Sequence, residues 1–65
     1  MKISEFLIGL IDKLIFINLV SGRSTSGYLE DFDHELILLR RTGHREFVFK
    51  HNVVSIIIDD KGAKE

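Results

Sequence analysis

Lys50 and His51 stand side by side at the pinch between two apolar runs, Phe47-Val48-Phe49 and Val53-Val54-Ser55-Ile56-Ile57. Runs of that composition want to pair edge to edge. A basic pair held between them therefore points to a site on an assembled object rather than on a lone monomer. Read on residue types alone, the pair is a strand end, with an exposed Lys and a His bonded to the turn backbone, and that simpler reading leads. Catalytic chemistry has no support. Asp33, His34 and Ser26 lie close in sequence but form no nucleophile–base motif. The three histidines, His34, His44 and His51, lack the Cys or His partners of a zinc site, so no metal or other cofactor is expected.

The 65 residues make one small domain, and a chain this short buries only about 60% of its unfolded surface. Such domains need a staple. With no cysteine in the chain there is no disulfide, and oligomerisation is the staple left. The absence of Cys also fits a reducing compartment. The net charge of −1 argues against a generic electrostatic nucleic-acid binder, though not against a local basic patch. At 45% apolar the chain is not a disordered one. Asp12 and Lys13 interrupt the apolar stretch from Phe6 to Val20, which falls short of the ~20 residues of a membrane helix. No signal peptide is expected either. The expectation is a cytoplasmic protein without a membrane partner.

Ile3, Phe6, Leu7, Leu10, Ile11 and Leu14 follow the spacing of one helix face, which predicts a helix over roughly the first dozen residues, with Ser4 as its N-cap. After Lys13 the period changes. Leu14 to Val20 reads as a first strand, and Ser21-Gly22 as a turn. Arg23 to Asp31 reads as a second strand, in which Gly27 suggests a bulge or sharp bend. Phe32-Asp33-His34 is a connection, with Asp33 a short acceptor for nearby backbone N–H groups. Glu35 to Arg41 is a third strand, Thr42-Gly43-His44 a turn, and Glu46 to Lys50 a fourth strand with Phe47 and Phe49 on one face. Val53 to Ile58 is a fifth. Residues 59–65 form a polar tail, so the domain is expected to span residues 1–58. One helix followed by five short strands is the pattern of a small bent-sheet barrel, a mainly β (α+β) fold. The chain has no proline, so its late strands lack one common edge guard and are candidates for pairing between copies.

These residues resemble the bacterial Hfq branch of the Sm-like family. Leu19-Val20-Ser21-Gly22, Gly27, Phe32-Asp33 and Ile37-Leu38-Leu39 are similar to the family's Leu-Val-Asn-Gly, Gly, Phe-Asp and Ile-Leu-Leu. Val48-Phe49-Lys50-His51-Asn52-Val53-Val54-Ser55 resembles Val-Tyr-Lys-His-Ala-Ile-Ser, and Phe6-Leu7-Ile8-Gly9-Leu10 resembles Phe-Leu-Asn-Ala-Leu. The resemblance implies a helix on a five-stranded Sm-like barrel. It implies a ring, a homohexamer, closed by pairing the fourth strand of one copy with the fifth of the next. It also implies single-stranded RNA partners, small RNA and mRNA. U-rich RNA would bind around the pore and A-rich RNA on the other face, in post-transcriptional regulation.

Carried onto this chain, the resemblance makes Lys50 and His51 a ring of pore-lining groups that contact phosphate and a base edge, with Phe49 beside them and His34 assisting. His34 falls where the family has Gln. The aromatic that stacks on uracil falls at Glu35, and the opposite-face aromatic at Asn18; neither side chain offers a stacking surface. Ser24, Thr25 and Ser26 are candidates for a base pocket on the far face, or simply the polar side of an exposed strand. Arg40, Arg41, His44 and Arg45 are either a phosphate-binding patch or a charged hairpin tip. The alternative function is a ring scaffold or protein-interaction module with little RNA affinity.

Overall fold

The fold comes from a computed structural model that describes residues 3–58, with side chains from Glu5 onward. Ser4, the expected cap, already lies within the described helix, and the tail at 59–65 lies outside the described residues. Helix α1 covers Ile3–Ile8, and five strands follow: β1 Leu14–Leu19, β2 Ser24–Phe32, β3 Leu36–Arg41, β4 His44–Phe49 and β5 Val53–Ile58. All neighbours are antiparallel, in one sheet of order β4-β3-β2-β1-β5. The expected architecture, a short helix and then five strands in one bent sheet, is the one found.

Alternation builds the core. Ile15 and Ile17 of β1, Leu29 of β2, and Ile37 and Leu39 of β3 point to one side and are fully buried. Val48 of β4 joins them, and Leu7 and Leu10 close the cluster from the helical end. Burying each such side chain stabilises by about 1.5–3 kcal/mol. Strand β5 contributes only partly buried residues, Val53, Ile56 and Ile58. Its Val54 and Ile57, like Phe47 and Phe49 of β4, remain exposed. Each of the two edge strands thus carries a pair of large apolar side chains facing water.

Several details differ from the sequence expectation. The helix is half the expected length. Gly9 weakens it, and the chain then turns through Asp12 at φ 70°, a left-handed conformation that Asp tolerates. Gly27 stays in register opposite Ile15, and the bulge lies one turn of the pleat later, where the β2–β3 ladder shifts between Leu29 and Asp31. Gly27 is instead a close-approach residue: a Cβ there would sit 3.2 Å from the Arg40 carbonyl and from side-chain carbons of Leu39 and Arg41. Phe32 and His44 belong to strands rather than to connections. Lys50, expected at the end of β4, begins a 3-10 turn, Lys50–Asn52, between β4 and β5.

Candidate functional site

The β3–β4 ladder pairs Leu36 with Phe49, which brings the residues just outside it, Glu35 and Lys50, face to face. The Lys50 N–H donates to the Glu35 carbonyl at 2.8 Å. Below Glu35, Asp33 organises the bend. Its Oδ1 accepts from the backbone N–H groups of Glu35 and Leu36, each at 2.8 Å, and its own N–H donates to the Leu36 carbonyl. The backbone hydrogen bonds from Glu35 and then Leu36 hold the Asp33 carboxyl below its ordinary range. This is the acceptor role expected for Asp33.

That scaffold gathers four of the five sequence-nominated residues. His34, Phe49, Lys50 and His51, together with Glu35, line a cleft of about 250 Å³. The Phe49 and His51 rings lie 5.6 Å apart at 40°. The Lys50 ammonium sits 5.3 Å from the centre of the Phe32 ring. Phe32 was not a nominated residue. Only the through-space path from the end of β2 to the 3-10 turn reveals it, and no spacing in the sequence signals that. The cleft offers a cation, two imidazoles, one half-exposed ring and one carboxylate. The cation and the imidazoles suit a phosphate and a base edge, whereas the carboxylate suits only hydrogen-bond donors.

Ser26 lies elsewhere. It lines a separate cleft of about 360 Å³ with Leu14, Tyr28, Arg40, Arg41 and His44, and the two clefts share no residue. Its carbonyl accepts from Arg41. Thr25 is engaged as well: its hydroxyl donates to Glu46 Oε1 at 2.8 Å and accepts from Arg41 at 2.7 Å. The Thr25 hydroxyl first, and the Arg41 guanidinium second, hold the Glu46 carboxyl below its ordinary value. Arg41 also donates to His44 Nε2 at 3.0 Å. Arg45 pairs with Glu30 at 3.0 Å, and Arg40 with Asp12 at 3.3 Å. All three arginines of the β3–β4 hairpin are therefore matched to carboxylates, the arrangement of a charged tip. On β1, Asn18 donates to Ser55 Oγ at 2.9 Å.

Among the described residues no group of three or more His, Cys, Asp or Glu side chains could hold a metal. No described helix is long and apolar enough to cross a membrane.

Comparison with known proteins agrees with this geometry. The family model described as Hfq protein matches residues 12–63. The chain is similar to the RNA-binding protein Hfq of Bartonella bacilliformis, 44% identical over 41 residues, which cover 63% of this chain and 52% of that protein. It is similar to the RNA-binding protein Hfq of Brucella ovis at 39% identity over 41 residues, 63% of this chain and 53% of that protein. The chain thus spans about half the length of the curated relatives it matches. Its fold is similar to that in a crystal structure of the pleiotropic translational regulator Hfq, with a TM-score of 0.79 at 16% identity, over 86% of this chain and 88% of that one. The helix and five-stranded sheet, the Phe-Asp bend beneath the Lys-His turn and the family match agree, and this chain belongs to the Hfq family.

Proposed function

We propose that this chain is the subunit of an RNA-binding ring that takes single-stranded, U-rich RNA near its pore and acts in post-transcriptional regulation. The observation that carries the reading is the cleft in which Phe49, Lys50, His51 and His34 meet. One such cleft is small. Copies repeated about an axis converge their cations into a field that the net charge of −1 conceals. The sheet supports repetition: β4 and β5 are its two edges, and each faces water with apolar side chains. A hexamer closed by β4–β5 pairing between copies follows from the family resemblance. The name of the curated relatives, RNA-binding protein Hfq, supports the RNA partner.

A second reading is a ring scaffold with little RNA affinity. It is favoured by Glu35 where a stacking ring would serve better, by Asn18 on β1, and by the pairing of Arg40, Arg41 and Arg45. One measurement separates the two: binding of fluorescent U-rich and A-rich oligomers at two salt concentrations, to protein whose oligomeric state has been measured. Salt-sensitive U-rich binding that Lys50→Ala abolishes supports the first reading. Absence of binding to both oligomers supports the second.

A further inference from the structure

The cleft contains one group that a uracil site does not call for. Glu35 presents a carboxylate whose side chain is 72% exposed. Among the described residues it accepts no hydrogen bond, and the imidazole Nε2 of His34 lies 4.0 Å away. The backbone beneath it is fixed from both sides. The Glu35 N–H donates to Asp33, and the Glu35 carbonyl accepts from Lys50. Phe49, whose ring is half exposed, and Lys50 line the same cleft.

We infer that Glu35 makes this cleft select guanine over uracil, so that the strand it favours is U-rich RNA interrupted by guanines. The inference rests on the RNA reading above and names the base. An ionised carboxylate only accepts hydrogen bonds, through two adjacent oxygens. Guanine is the base whose edge offers two adjacent donors, N1–H and the N2 amino group. Both can donate to Glu35 at once. Uracil offers N3–H alone, flanked by two carbonyl oxygens that would face the carboxylate. Adenine and cytosine each offer one amino group beside a ring-nitrogen acceptor. Phe49 supplies a face for the purine. Lys50 supplies the cation for the adjoining phosphate, which offsets the repulsion that Glu35 would otherwise impose.

A bidentate pair discriminates between bases by roughly 5- to 150-fold. The test uses hexamers of one length: U6, UUGUUG, and the same strand with inosine in place of guanine. Inosine keeps N1–H and the carbonyl but lacks the amino group, so it removes one of the two hydrogen bonds. Binding is measured by anisotropy on the intact oligomer of the parent, Glu35→Gln and Lys50→Ala. The expected order for the parent is guanine strand, then inosine strand, then U6. In Glu35→Gln the guanine preference over U6 should shrink at least about fivefold, while the variant keeps the parent's melting temperature and assembly. Equal affinity of the parent for the three strands, or a preference unchanged in Glu35→Gln, overturns the inference. If no strand binds the parent, or if Lys50→Ala binds all three as the parent does, the failure belongs to the RNA reading of the cleft.

Discussion

The backbone N–H of Lys50 donates to the carbonyl of Glu35 at 2.8 Å, one step beyond the last rung of the β3–β4 ladder. This bond makes the 3-10 turn a continuation of the sheet rather than a loose link. It also ties together the backbone positions that carry the cation and the carboxylate of the cleft. Chemistry at this site is set by which side chains those two positions carry.

Removing the cation tests the site most directly. Lys50→Ala should weaken U-rich binding and flatten its salt dependence together. Each phosphate neutralised on a single strand contributes a slope of about −0.7 in log K against log salt. Titrations at several salt concentrations check it. Unchanged affinity and slope would move the RNA site away from this cleft.

Phe32 should act on the cleft through Lys50. A cation over an aromatic face at an exposed site is worth roughly 0.5–1 kcal/mol. Phe32→Leu should therefore reduce RNA affinity by about two- to fivefold at most. A larger loss, with intact melting, would mean that Phe32 touches RNA itself.

Assembly should depend on the outward side chains of β5. Ile57 is 53% exposed and Val54 65% exposed, whereas Ile56 packs against the core. Ile57→Lys should give a smaller species by light scattering while far-UV dichroism stays that of the parent. Ile56→Lys should cost the fold itself, because it places a charge against apolar side chains. An Ile57→Lys protein that assembles as the parent does would remove β5 from the interface.

Gly27→Ala should destabilise by about 1–3 kcal/mol, because the new methyl meets β3 at 3.2 Å. Chemical denaturation reads this directly. The loss should appear without any change in the Lys50 cleft, which shares no residue with this part of the sheet.

Acid should loosen both braced carboxylates. The folded values of Asp33 and Glu46 lie below their ordinary 3.8 and 4.5. Their contributions are therefore fully present above those values and are lost as pH falls from there through the folded values. Thr25→Val removes the hydrogen bond that most lowers Glu46, at a cost of about 1 kcal/mol at neutral pH. The gap between parent and variant should narrow as Glu46 is protonated. Melting scans from pH 7 to pH 3 check both the size and the direction.

The sequence made the strands legible but not their buried face. Leu14 to Ile17 and Leu36 to Leu39 are apolar at both alternating sets of positions, and only the packed sheet shows that Ile15, Ile17, Ile37 and Leu39 are the buried ones. The acceptor role of Asp33 was legible too, because Asp at a bend has few other uses. The helix end was misplaced because an apolar stripe continues through Leu10 and Ile11 after the helical hydrogen bonding has stopped. Both side chains still reach the core from the turn. The bulge was assigned to Gly27 because composition marks a glycine, whereas the register shift falls near Glu30, which has no such mark. Long-range partners were not legible at all. Nothing in the spacing joins Arg45 to Glu30 or Lys50 to Phe32, since each pair meets only after the strands are in register.

The place of β5 beside β1 governs how the chain reaches this structure. The other ladders join strands adjacent in sequence, so they can zip from local turns. The β1–β5 ladder pairs Ile15 with Ile58 and encloses every other strand between its two members. Contacts so far apart along a chain carry the largest loop-closure entropy and form late. Until they form, β1 has one partner and a bare second edge. Docking β5 is then the pairing that costs the most chain entropy, and without it β1 presents a bare row of backbone N–H and C=O groups along its second edge.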